Sequence, residues 1–163
     1  MDTLEKLKVP ECDILYVHTD ISFGNPNFNI TKHQILEGLL KIFLKLNIKT
    51  IIFPTYSFSF CRGDKFDYKK TKTDMGVLNE YVRTKYSNFR SLDPLLSNVL
   101  IGENKFLIKN IGNQSIGKES TFDLIYKSNL KTNFLFFGSH LHKCFTFMHY
   151  LEFINKVDRK STR

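Results

Sequence analysis

Two short segments, DILYVHTD (13–20) and KTIIFP (49–54), flank a stretch whose apolar residues recur every three or four positions, and this alternation constrains the fold more than any other feature. An unbroken apolar run rich in β-branched and aromatic residues reads as a strand covered on both faces. Between the two runs, Thr31 and Gln34 have the capping-box spacing, and Ile35, Leu36, Leu39, Leu40, Phe43 and Leu46 share one helical face. A helix should therefore reach about Leu46 and stop at Asn47. Strand, helix, strand with a right-handed crossover is the building unit of an α/β protein.

Tyr56 to Thr73 lacks periodicity and reads as a long loop, a common place for function. Asp74 is placed to cap a helix carrying Val77, Leu78, Tyr81 and Val82, and RSLDP (90–94) is a turn. SNVLIG and KFLIKN both read as strands, and Ser120 with Asp123 opens a helix that should bury Phe122, Ile125 and Tyr126. NFLFFG (133–138) is a strand, and Thr146 to about Lys156 forms the last helix, followed by a frayed DRKSTR end. No repeat or linker divides the chain, so a single domain over 1–163 is expected, an α/β three-layer sandwich around a central, mostly parallel mixed sheet.

The formal charge of +8 comes mainly from lysines scattered along the chain, with no arginine-aromatic cluster. That pattern argues against nucleic acid and suits a small polyanion such as a nucleotide or coenzyme. The N-terminus lacks the apolar core of a signal peptide, and ILEGLLKIFLKL and FLFFG are too short or too interrupted to span a bilayer, so a cytoplasmic protein without a membrane partner is expected. Three cysteines without C-x-x-C spacing fit a reducing compartment. Neither a Walker loop nor G-x-G-x-x-G is present.

The stretch GSHLHKCFTFMHYLE (138–152) concentrates polar chemistry. On a helix, Thr146, His149 and Glu152 lie one turn apart on one flank. A glutamate there can accept the imidazole N–H and leave the other ring nitrogen basic, a general base with its orienter. A solvated surface pair fits the same spacing. His140, His142, Cys144 and His149 can be written as metal ligands, but no partner thiol or carboxylate cluster accompanies them, so no metal is assigned and a metal-dependent hydrolase ranks behind. HTDISFG (18–24) is a strand end followed by short polar residues that can offer N–H and hydroxyl groups to an anion or amide.

Taken in order, VHTDISFG, IIFPTYSF, the F-D and M-G-x-L-x-E-x-x-R elements of KFDYKKTKTDMGVLNEYVR, R-S-x-x-P-x-x-S in RSLDPLLS, G-x-x-S-x-F in GKESTF and T-x-x-H-x-x-E in TFMHYLE resemble the antibiotic N-acetyltransferases typified by aminoglycoside 3-N-acetyltransferase. The resemblance implies acetyl-CoA as co-substrate and a small-molecule amine, an amino sugar, as acceptor. It implies that His149 is the base that deprotonates the amine, with Glu152 orienting it and Thr146 as a hydroxyl donor to the oxyanion. It further implies that His18, Thr19, Ser22, Phe23, Arg90, Ser91 and Ser97 line the coenzyme channel.

The chain departs from the family pattern at Asp93, where histidine is usual, and at His142 and Lys143, where an acidic residue is common. Family members also continue well beyond the T-x-x-H-x-x-E helix, which leaves open a C-terminally truncated or inactive relative. With 16 acidic against 24 basic residues, a nucleotide-linked amino sugar competes with an aminoglycoside as acceptor, although Asp64, Asp67, Asp93, Glu119 and Glu152 can still gather into an acidic pocket. A monomer and a homodimer are equally compatible with the sequence.

Overall fold

The computed structural model describes residues 2–22 and 29–157. In chain order the elements are α1 (Asp2–Lys6), β1 (Ile14–Thr19), α2 (Lys32–Leu44), β2 (Thr50–Pro54), α3 (Val77–Lys85), β3 (Asn98–Gly102), α4 (Phe106–Lys109), α5 (Thr121–Lys127), β4 (Thr132–Phe137), α6 (Leu141–Cys144) and α7 (Phe147–Ile154). The sheet order is β3-β2-β1-β4. β1 runs parallel to both β2 and β4, and β3 is antiparallel to β2. The expected mixed, mostly parallel sheet is therefore present.

Alternation along the strands divides the core into two layers. Leu15, Val17, Ile51, Phe53 and Val99 pack one face against Leu4 of α1, Leu36, Leu40 and Phe43 of α2, and Leu78 and Val82 of α3. Ile14, Tyr16, Ile52 and Leu100 pack the other against Leu107 and Ile108 of α4, Phe122 and Ile125 of α5, and Tyr150 of α7. With helices on both faces, β1 and β2 have no water-facing side, which is why their sequences read as continuous apolar runs.

Local signals behave as expected in α2, where Thr31 and Gln34 form the reciprocal capping box and Asn47 adopts a left-handed φ of 53° just after the helix. Three expectations are corrected. KFLIKN forms the single turn α4, because Leu107 and Ile108 both turn inward, which helical spacing permits and strand alternation does not. Asp74 does not cap α3. Gly76, with φ 93°, occupies that place, while the Asp74 carboxylate accepts the Phe58 N–H at 3.0 Å. Tyr126 is exposed, although Phe122 and Ile125 of the same helix are buried.

Candidate active site

The chain leaves β1 for β2 on one side, and β4 returns to the other side of β1. In such a sheet a crevice opens where neighbouring strands diverge, at their carboxyl ends. A cleft of about 460 Å³ lies there, lined by His18, Thr19 and Ser22 after β1, Ser139 and His140 after β4, and the start of α3. Gly138, with φ 72°, ends β4 and turns the chain toward this cleft.

Each wall has a local cause. Thr19 Oγ1 donates to Asn79 Oδ1, and Asn79 Nδ2 donates to the Pro54 main-chain carbonyl at 2.6 Å, so one buried side chain pins α3 to the ends of β1 and β2. No side chain caps α3, whose first residues line the cleft, so the positive end of the helix dipole lies beside it. Lys143 lines the opposite rim. Asp20 accepts the Ser22 N–H at 2.9 Å, and bonds from Ser22 hold its carboxyl below the usual range.

His18 is 4% exposed, stacks on Phe136 with the rings 3° from parallel, and lines the cleft. Burial lowers its pKa from 6.5 to about 4. The unfolded chain therefore takes up a proton that the folded protein refuses. Stability is intact above pH 6.5, falls as pH drops through the interval from 6.5 to about 4, and levels off below it. The full loss is about 3 kcal/mol. We expect urea unfolding to show about 2 kcal/mol more destabilisation between pH 7 and pH 4.5 in the unmodified protein than in His18→Phe. Parallel pH curves would remove this assignment.

The second group of residues sits on α7. Tyr150 is buried and donates to Asp123 Oδ1 at 2.8 Å, and Phe147 packs on Phe122 and Phe134. These inward contacts leave His149 and Glu152 on the outer flank, 49% and 31% exposed, with Nδ1 3.1 Å from Glu152 Oε2. A carboxylate only accepts, so Nδ1 is the ring nitrogen that carries a proton toward Glu152, and in a neutral imidazole the lone pair lies on Nε2.

His149 borders two clefts. One is lined by Ile116, Glu152, Phe153, Lys156 and Val157, and the other by residues 141–146 with Met148. The latter shares Lys143 and Cys144 with the cleft at His18, so the two clefts adjoin at these residues. Among the described residues lining the two clefts at His149, Glu152 is the sole carboxylate, and Asp64, Asp67, Asp93 and Glu119 line neither.

Arg90, Ser91 and Ser97 stand apart from the cleft at His18, Thr19 and Ser22. The Arg90 guanidinium is buried and donates to the carbonyls of Thr55, Tyr68 and Thr71 and to Ser97 Oγ, while Ser91 Oγ accepts the Asn98 N–H. Burial lowers the Arg90 pKa to about 10. Phe23 lies outside the described residues. The His140 and His142 rings are 5.5 Å apart, and among the described residues no three His, Cys, Asp or Glu side chains converge as a metal site. No helix among the described residues is long and apolar enough to cross a membrane.

Asn79 and Gly76 escaped the sequence reading as site-forming residues. The glycine before an amphipathic run was the available signal for the helix start. Nothing local announces that Asn79 is buried.

The sequence profile of the antibiotic N-acetyltransferase family, described as aminoglycoside 3-N-acetyltransferase, matches residues 47–163. No curated protein sequence is significantly similar to the chain. Among solved structures, the YokD protein from Bacillus subtilis has a TM-score of 0.68 at 19% identity, with 91% of this chain and 68% of that one covered. The AAC-IIIb binary complex with CoASH gives 0.68 at 18%, covering 93% and 62%. Sisomicin-bound AAC-VIa, from a room-temperature neutron and X-ray structure, gives 0.74 at 18%, covering 97% and 63%. The chain thus spans less than two thirds of the length of the two AAC structures.

Proposed function

Because the chain belongs to the aminoglycoside 3-N-acetyltransferase family, we propose that it transfers an acetyl group from acetyl-CoA to an amino group of an amino sugar. The observation that carries the reading is the His149–Glu152 pair, held at 3.1 Å on the rim of a cleft that adjoins the one at the carboxyl end of β1. Glu152 fixes the imidazole tautomer, and His149 Nε2 takes a proton from the acceptor amine. The nitrogen attacks the thioester carbonyl, the N–C bond forms, the C–S bond breaks, and the coenzyme leaves as thiolate.

The cleft at β1 suits the anionic coenzyme. Its uncapped helix start, Lys143, and the polar groups of His18, Thr19 and Ser22 offer donors and positive potential. Arg90, Ser91 and Ser97 serve the channel from behind by holding its wall. Acetyl-CoA as co-substrate fits the cytoplasmic setting expected from the sequence. For the acceptor, the described residues lining the clefts beside His149 set Lys143 and Lys156 against one carboxylate, that of Glu152. That balance favours an anionic amino sugar, such as one linked to a nucleotide, as a second reading beside an aminoglycoside.

The test is calorimetric titration of the purified chain with acetyl-CoA at two ionic strengths. Product mass would be followed with sisomicin and with a uridine-diphosphate-linked amino sugar as acceptors. Saturable binding that weakens with salt and a 42-dalton gain on one acceptor, the mass of an acetyl group replacing a hydrogen (about 42 by composition), are expected. A folded sample that neither binds acetyl-CoA nor modifies either acceptor would end this reading in favour of an inactive relative.

A further inference from the structure

Cys144 and His18 line the same cleft at the carboxyl end of β1. The His18 ring is 4% exposed and is held between aromatic faces, with centroids 5.2 Å from those of Phe136 and Tyr16. Its main-chain carbonyl accepts Ser139 Oγ at 3.3 Å, but among the described residues no group bonds to either ring nitrogen. Side-chain nitrogens and oxygens that are fully enclosed all have partners, so those of His18 meet the open space of the cleft. A donor and an acceptor placed this deep, and left for a visitor to satisfy, mark the cleft as a ligand site.

Cys144 ends α6, is half-buried, and donates from Sγ to the His140 carbonyl at 3.0 Å. It lines both the cleft at His18 and the cleft at His149, and among the described residues only Lys143 does the same. His149 is absent from the first cleft. An acetyl group carried by a coenzyme in that cleft can therefore meet an amine beside His149 only where the two clefts adjoin, and this brings the coenzyme sulfur beside Cys144 Sγ. The other thiols lack such a setting. Cys12 Sγ donates to the Val9 carbonyl at 3.4 Å and burial raises its pKa, while Cys61 is exposed in the turn Phe60–Arg62. Neither lines a cleft with His18 or His149.

We propose that Cys144 is a site of reversible modification by the coenzyme, forming a mixed disulfide with coenzyme A that switches acetyl transfer off. The inference rests on the acetyl-transfer reading above. The co-reactant is the disulfide form of the coenzyme. The Cys144 thiolate attacks one of its two sulfurs, a new S–S bond forms and the old one breaks. The second half leaves as a thiolate and takes up the proton that Cys144 released, so one disulfide replaces another and no further oxidant is needed. Binding of the nucleotide end in the cleft at β1 makes the exchange effectively intramolecular. The tethered coenzyme then occupies the place of acetyl-CoA until a thiol reduces the bond.

The test treats the reduced protein with coenzyme A disulfide and, in parallel, with glutathione disulfide, which has no nucleotide. Intact mass should rise by about 765 daltons, one coenzyme thiol joined with loss of two hydrogens. Peptide mapping should place the adduct on Cys144, although Cys61 is the more exposed thiol. Reaction should be about tenfold or more faster than with glutathione disulfide, and saturating acetyl-CoA should remove that advantage. Cys144→Ser should lose the fast reaction and the Cys12→Ser/Cys61→Ser pair should keep it. Acetyl transfer by the unmodified protein should fall about tenfold or more on treatment and return with dithiothreitol. Binding of acetyl-CoA with no preference between the two disulfides, or an adduct confined to Cys61, would overturn the proposal and leave the acetyl-transfer reading standing. A folded chain that fails to bind acetyl-CoA in the calorimeter would remove both. Fast labelling of Cys144 in a chain that acetylates neither acceptor would support the modification and end the transfer reading.

Discussion

His149→Ala is expected to lower kcat for acetyl transfer about 10²- to 10⁴-fold while leaving the affinity for acetyl-CoA unchanged. The effect should be large because the amine otherwise has to shed its proton to water as it attacks. It should be confined to the chemical step because His149 borders the clefts at α7 and is absent from the lining of the cleft at β1. Glu152→Gln removes the acceptor that fixes the tautomer but keeps the imidazole, so a smaller loss, about tenfold, is expected. The pair is nearly half exposed at His149, and its electrostatic contribution to stability is small. Both variants should therefore unfold at the same urea midpoint as the parent. Equal kcat for His149→Ala and the parent would return the pair to the status of a surface contact.

The second large effect is expected at Arg90→Met. Four acceptors from two separate stretches, Thr55, Tyr68, Thr71 and Ser97, converge on a guanidinium that is 4% exposed. Methionine fills the volume and matches none of them, and each buried acceptor left without a partner costs about 1–3 kcal/mol. Part of the loss is recovered if the loop swings out to water, so we expect a net cost of about 3–5 kcal/mol and a fall in Tm of about 10 °C. The loop contains Arg62, Lys65, Lys69, Lys70 and Lys72, which makes trypsin a direct reporter. Faster cleavage between 62 and 72 should accompany the lower Tm. Acetyl-CoA affinity should fall too, because Asp74, Met75 and Gly76 continue the loop into the cleft wall. An unchanged digestion rate and Tm would show that the loop is held by other contacts, such as those of Arg83 with Glu80 and the Lys69 carbonyl.

What the sequence disclosed follows from how far each interaction reaches along the chain. The Thr31 capping box and the His149–Glu152 pair span three positions each, and both were legible. The two-sided burial of β1 and β2 was legible as well, because it leaves few polar residues on either face of a strand. KFLIKN misled because three consecutive apolar residues carry no period of their own, and burial of the adjacent Leu107 and Ile108 is a tertiary fact. Arg90 carried a motif but not its direction, and only the folded loop shows its fork turned toward Thr55 and Thr71. The buried contacts of the Tyr16 hydroxyl were beyond reach, since Tyr16 meets Tyr56 across 40 positions and Asn98 across 82.

The pairing of β1 with β4 sets a timetable for biosynthesis. Asp13 accepts the Lys131 N–H across 118 positions, and six residue pairs, from Ile14 with Thr132 to Thr19 with Phe137, then set the two strands in register. At about 5–20 residues per second of translation, β1 waits several seconds to tens of seconds for this partner, whereas β2 follows it much sooner. During that interval the outer edge of β1 carries unpaired N–H and C=O groups in an apolar strand, a template for association between neighbouring nascent chains. High expression rates and high temperature should therefore reduce the yield of folded protein more than its final stability would suggest.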